Sequence, residues 1–265
     1  MAPERVSHCA IRSHSEQEER RGRLAEWMSE HGVKAVLFDL DDTLLSTSPL
    51  IRELEDRYVT YVVSQQPELS PHDVLKTLRN EDTSVFMTHS VSKARWSALA
   101  HRLIDTYGPE TEDAFHKGLA IFMSLYSTVP RMLPGALDTV QAFRCAADKM
   151  GVVTHADEYW TSLKLHKTGL STFFDQVYVV PDDDHKNEDH WLKAINKLGV
   201  KPHEVLVIGD SVSGDITAAA HAGVKHLVLV PIQWSPYDAG VVPHGTIAVT
   251  GIDRVVDALI GTHAS

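Results

Sequence analysis

The sequence predicts an α/β fold: a doubly wound, mostly parallel sheet with an all-helical block inserted after its first strand. Three observations carry that prediction. Short continuous apolar runs recur, among them Ala35–Phe38, Val205–Ile208 and Leu227–Val230. Such runs suit strands buried on both faces. Between them lie stretches with apolar residues three and four apart, the signature of amphipathic helices. From residue 46 to residue 131 the helical spacing continues with no strand to interrupt it. Strand–helix alternation indicates a parallel sheet covered by helices on both sides.

Taken in chain order, residues 1–14 read as a loose tail. Ser15 to His31 reads as a helix. Ser15 and Glu18 make a capping-box pattern, Gly32 stands at the stop position, and Leu24, Trp27 and Met28 form the apolar side. Val33 to Asp39 is the first strand. Four helices follow: Pro49–Ser64, Pro71–Arg79, Ser90–Tyr107 and Glu110–Val129. Leu54, Tyr58 and Val62 mark one face of the first; Phe115, Leu119, Phe122 and Tyr126 mark one face of the last. After Pro134-Gly135 the pattern changes to helix 135–149, strand Gly151–Thr154, helix 157–169 and strand Gln176–Val180. An acidic loop, Pro181–Asp184, leads to helix 188–198, strand Glu204–Ile208 and helix 213–222. Strands at His226–Val230 and Thr246–Val249 and a helix over 252–260 close the chain. The expected organisation is an N-terminal tail and accessory helix (1–32), a helical block (46–131) and an α/β core (33–45 with 132–265).

Composition narrows the function. The chain has 265 residues, 43% hydrophobic and 23% charged, enough to bury a sizeable core. Its net charge of −11, with no dense cluster of Lys and Arg, argues against nucleic acid as a partner. No apolar stretch approaches the roughly 18 residues of a membrane span, so no membrane partner is expected. Cys9 and Cys145 lie far apart and fit no metal spacing. Together these features lead us to expect a cytoplasmic enzyme with reduced thiols. The sixteen histidines are scattered without zinc-binding spacing. Oligomeric state is not readable.

The chemistry concentrates at strand ends. The first strand stops in Asp39-Leu40-Asp41-Asp42-Thr43. Three carboxylates there are electrostatically costly unless a cation sits among them, and hard oxygen ligands suit a divalent metal. In an open parallel sheet, ligands bind beyond the carboxyl ends of the strands. Asp39 with Asp41, Thr154, Lys186, and Asp210 with Asp215 all fall at or just past such ends.

These positions resemble, in order, the four motifs of the haloacid dehalogenase-like (HAD) superfamily. They are Asp39-Leu40-Asp41-Asp42-Thr43, the threonine of Val152-Val153-Thr154, Lys186 after the acidic loop, and Gly209-Asp210-Ser211-Val212-Ser213-Gly214-Asp215. The resemblance covers about residues 33–230 and implies a Rossmann-like core. It implies a small phosphorylated substrate and Mg²⁺ held by Asp39, Asp41 (through its backbone carbonyl), Asp210 and Asp215. It further implies Asp39 as nucleophile and site of a phospho-aspartate, and Asp41 as general acid and base. Thr43 would hold Asp41 in place, Thr154 would bind a phosphoryl oxygen, and Lys186 would offset negative charge. An aspartate two residues past the nucleophile resembles the phosphatases and phosphomutases of the superfamily, not its dehalogenases. The helical block resembles a type 1 cap, with Arg79, His89, Lys93, Arg95 and His116 as candidate substrate contacts. Asp42 is expected to face solvent. His155, where many relatives carry asparagine, reads equally as a substrate contact or a tolerated exchange. A phosphatase is expected. A phosphomutase of the β-phosphoglucomutase kind and a catalytically silent binding module are the alternatives.

Overall fold

A computed structural model describes residues 14–230 and 240–261. Residues 1–13 of the predicted tail, Cys9 among them, lie outside the described residues. Helix α1 (His14–Glu30) precedes strand β1 (Ala35–Phe38), and β2 (Leu45–Ser46) leads into the helices. These are α2 (Thr47–Gln65), α3 (Pro71–His89), α4 (Ala94–Tyr107) and α5 (Glu112–Met123). The chain returns through β3 (Arg131–Met132), then α6 (Ala136–Ala146), β4 (Lys149–His155), α7 (Glu158–Thr168), β5 (Gln176–Val180) and α8 (Glu188–Leu198). It ends with β6 (Val205–Gly209), α9 (Ala218–His221), β7 (His226–Leu229), β8 (Ile247–Ala248) and α10 (Val255–Gly261).

Six strands form one sheet in the order β5-β4-β1-β6-β7-β8, every pair parallel. Side chains alternate across the pleat, and the burial follows that period of two. Val36 and Phe38 of β1, with Leu206 and Ile208 of β6, enter a core shared with α1, α6 and α10. Ala35 and Leu37, with Val205 and Val207, enter the core under α8 and α9. This is the doubly wound, mostly parallel α/β architecture that the apolar runs predict. Helix α1 is part of its wall. Leu24, Trp27 and Met28 are buried, and Arg20 Nε reaches Asp257 Oδ1 at 2.8 Å.

Helices α2–α5 pack around a separate core. Trp96 stacks on Phe122 at 4.4 Å, and its indole N–H donates to the Tyr126 hydroxyl. Helix α3 continues ten residues beyond the predicted Arg79, to His89. The run Asn80-Glu81-Asp82 interrupts the apolar face, yet Asp82 is buried against the Arg95 guanidinium, so the packed face extends to Val85. Two features have no precursor in the hydrophobic pattern. One is the antiparallel pair β2–β3, where the chain enters and leaves the helices. The other is the wide π turn over 212–217, where a continuous helix was expected. Two-residue strands and a single π turn leave no periodic signal. Among the described residues, no helix is long and apolar enough to cross a membrane.

Candidate active site

Strands β1, β4 and β6 are neighbours, so their carboxyl ends bring distant parts of the chain together. Asp39 follows β1 and is buried. Lys186 Nζ lies 2.6 Å from Asp39 Oδ1, 2.7 Å from Asp215 Oδ1 and 3.0 Å from the Val153 carbonyl. Asp215 is held in turn by the backbone N–H of Ser211 at 3.0 Å. The π turn sets that approach, since the N–H groups of both Asp215 and Ile216 donate to the Ser211 carbonyl. Gly209 is required beside it. A Cβ there would stand 2.5 Å from the Asp215 side chain.

Oxygens of Asp39, Asp210 and Asp215 lie within 4.8 Å of one another. Burial raises Asp39 to about 7 against the pull of Lys186, with Asp215 and Asp41 adding to the rise. Asp210 is pushed well above the carboxylate range by burial and by Asp39 and Asp215. Lys186 is raised because Asp215 and Asp39 outweigh the effect of its own burial. Crowded, desolvated carboxylates of this kind favour a hard divalent cation. The donor set therefore fits Mg²⁺. Beside it, Thr154 is buried and its Oγ1 has no hydrogen-bond partner among the described residues. A buried hydroxyl without a partner is costly, and a ligand oxygen would satisfy it. Asp39, Thr154, Lys186, Asp210 and Asp215 line a cavity of about 280 Å³ whose lining also includes Phe86 and Val91 of the helical block.

Residues 33–223 match haloacid dehalogenase-like hydrolases. The chain belongs to that family. A glyceraldehyde 3-phosphate phosphatase of Pyrococcus furiosus is 24% identical over 86% of this chain and 93% of its own length. The pyrophosphatase PpaX of Anoxybacillus flavithermus is 30% identical over 73% of this chain and 81% of its own. The Bacillus subtilis HAD-hydrolase YfnB, solved bound to magnesium, shares the fold with a TM-score of 0.62. It is 17% identical, covering 86% of this chain and 98% of that one. With phosphatases as its relatives, this HAD-like hydrolase is a phosphoric monoester hydrolase.

Several residues of the HAD-like site stand differently from the sequence expectation. Thr43 does not reach Asp41. The turn after β1 curls back toward β6, and the Thr43 hydroxyl donates to Asp210 Oδ1 at 3.4 Å. Asp41 is gripped by Lys164, whose Nζ lies 2.7 and 2.6 Å from its two carboxylate oxygens, and by Thr47 Oγ1 at 2.5 Å. It lines the same cavity as Asp39, Asp210 and Asp215 but is not one of the three carboxylates whose oxygens lie within 4.8 Å of one another. Asp42 is not a solvated bystander. At φ 61° it accepts from the backbone N–H groups of Thr47 and Ser48 and from the Ser48 hydroxyl, capping α2.

None of Arg79, His89, Lys93, Arg95 and His116 lines the cavity. Arg79 pairs with Glu55, Lys93 with Asp157 and Arg95 with Asp82. His155 does line the cavity, and its Nε2 lies 3.1 Å from the Ser90 hydroxyl. Burial depresses it to about 4, helped by Lys186 and His185. Lys164 is the residue that motif reasoning overlooks. It is fully buried on α7, one turn after Trp160, with its ammonium 3.8 Å from that ring. A signal existed: within helix 157–169 it shares the apolar face of Trp160 and Leu165, where a charge needs a partner.

Proposed function

We propose that this chain is a Mg²⁺-dependent phosphatase that hydrolyses a small phosphorylated metabolite through a phospho-aspartate at Asp39. The observation that carries the reading is the convergence, at three adjacent strand ends, of a carboxylate triad, Lys186 and the unpartnered Thr154 hydroxyl. Asp39 attacks phosphorus, which splits one difficult displacement into two easier ones. Thr154 Oγ1 donates to a phosphoryl oxygen, and Lys186 offsets the charge gathered on Asp39 and the transferring group. Asp41, which lines the same cavity as Asp39, is the acid and base in this reading. It gives the leaving oxygen a proton, then takes one from the water that hydrolyses the acyl phosphate. Asp39, Asp210, Asp215 and the backbone carbonyl of Asp41 would hold Mg²⁺. When bound, Mg²⁺ supplies charge stabilisation to the phosphoryl oxygens. The helical block acts as a cap that excludes water and shapes the site for substrate.

The magnesium-bound relative supports the metal, and the phosphatase relatives support the reaction. The test is phosphate release from small phosphomonoesters with and without Mg²⁺. Release that requires Mg²⁺ and disappears in Asp39→Asn is expected. Isomerised product without net phosphate would point to a mutase. Activity that survives Asp39→Asn would contradict the nucleophile.

A further inference from the structure

Among the described residues, the cavity lining offers no lysine or arginine that is unpaired and could meet a second anion. Five carboxylates line the cavity: Asp39, Asp41, Asp42, Asp210 and Asp215. Among the described residues, Lys186 is the one lysine or arginine lining it, and it is already shared between Asp39 and Asp215. A divalent cation and the phosphoryl group would use what positive potential remains.

In an in-line displacement the organic part of a substrate leaves away from Asp39. Apart from the carboxylates, Lys186, Thr154 and the turn residues Ser211, Ser213 and Gly214, the cavity wall is Phe86, Val91 and the imidazoles of His155 and His185. The basic side chains of the helical block near it are all engaged elsewhere. The Arg95 guanidinium lies behind Phe86, 4.9 Å from the ring centroid, in a buried pair with Asp82. Arg79 is held by Glu55 at 2.8 Å, and Lys93 by Asp157 at 2.7 Å. The two imidazoles are tethered to the block as well, His155 to Ser90 Oγ and His185 to the Met87 carbonyl. The buried His155 is neutral near pH 7. It offers a hydrogen bond rather than a charge.

We infer that the site selects phosphomonoesters whose remainder is small and uncharged, a short polyol or hydroxycarbonyl compound, and discriminates against esters bearing a carboxylate or second phosphate. This rests on the phosphatase reading and names the substrate class of the same site. The cavity of about 280 Å³ must also admit the phosphoryl group, metal and water, which favours a short remainder. A second negative charge in the same cavity as the carboxylates, with no lysine or arginine free to meet it, should cost about 10- to 100-fold in kcat/KM.

The experiment compares glycerol 3-phosphate with 3-phosphoglycerate, which differ by a carboxylate on nearly the same frame, at saturating Mg²⁺. Phosphoglycolate and pyrophosphate extend the series. Glycerol 3-phosphate should exceed 3-phosphoglycerate by at least about 10-fold in kcat/KM. A second arm places a cation in the wall. Val91→Lys, at a half-buried turn position in that lining, should narrow that ratio by about 10-fold through a rise in kcat/KM for 3-phosphoglycerate. Equal turnover of both esters, or preference for 3-phosphoglycerate, would overturn this inference and leave the phosphatase reading intact. Hydrolysis of none of the series would overturn both.

Discussion

Replacing Lys164 with methionine isolates what the buried ammonium does for Asp41. Methionine keeps an unbranched stem against Trp160 and removes two charge-assisted hydrogen bonds of 2.7 and 2.6 Å. Stranding one partner of a fully buried pair costs about 3–5 kcal/mol. Here the stranded partner is not fully buried. The Asp41 side chain is 21% exposed and faces the cavity, whereas Lys164 is 0% exposed. Water can replace the ammonium at Asp41, so folding stability should fall by no more than about 2 kcal/mol. Activity should suffer more. A positioned acid and base is worth about 10²–10⁴-fold. Thr47 still holds one oxygen of Asp41, so a loss of about 10- to 10²-fold in kcat is expected, with KM little changed. The assay is steady-state turnover of Lys164→Met, Asp41→Asn and the double variant. If Lys164 works through Asp41, its substitution costs almost nothing once Asp41 is asparagine. Alkyl phosphates, which need the proton most, should lose more than p-nitrophenyl phosphate. Full activity in a folded Lys164→Met, or losses that simply multiply in the double variant, would refute the reasoning.

Other outcomes follow from the same geometry. Thr154→Val removes a hydroxyl that has no partner, so stability should hold or rise slightly while kcat falls by about 10²-fold, as for loss of one anion-stabilising donor. His155 is held neutral, with its pKa lowered from 6.5 to about 4. Its contribution to stability is present above pH 6.5 and is lost as the pH falls toward 4. The loss is at most about 3.5 kcal/mol, at about 1.4 per unit. Denaturation midpoints measured from pH 7 to pH 4 should therefore fall less steeply in His155→Asn than in the parent. Leu24→Ala, in the fully buried stripe of α1, should cost about 2–4 kcal/mol in urea denaturation with KM unchanged. A cost below 1 kcal/mol would mean that α1 is not part of the core wall.

The legible parts of the chain were those with local signals. Strand β1 and its neighbours announce themselves as short apolar runs, and Asp39, Asp210 and Asp215 stand at their ends. The gaps have physical causes. Asp82 reads as a helix interruption because its partner, Arg95, is thirteen residues away on another helix. The assignment of Thr43 to Asp41 failed because proximity in sequence does not fix which way a turn curls, and the structure gives that role to Thr47 and Lys164. Basic residues of the helical block looked like substrate contacts because a sequence shows charges without their partners. Glu55, Asp82 and Asp157 hold three of them, leaving Phe86 and Val91 to face the cavity.

The central claim is a covalent phosphoryl group on Asp39. Rapid acid quench during turnover of a ³²P-labelled phosphomonoester with Mg²⁺, followed by peptide mapping, tests it directly. The account predicts label on the peptide carrying Asp39, lability to hydroxylamine as for an acyl phosphate, loss of label on chase, and none in Asp39→Asn. Label on another residue, or rapid turnover with no covalent label at any quench time, would contradict it.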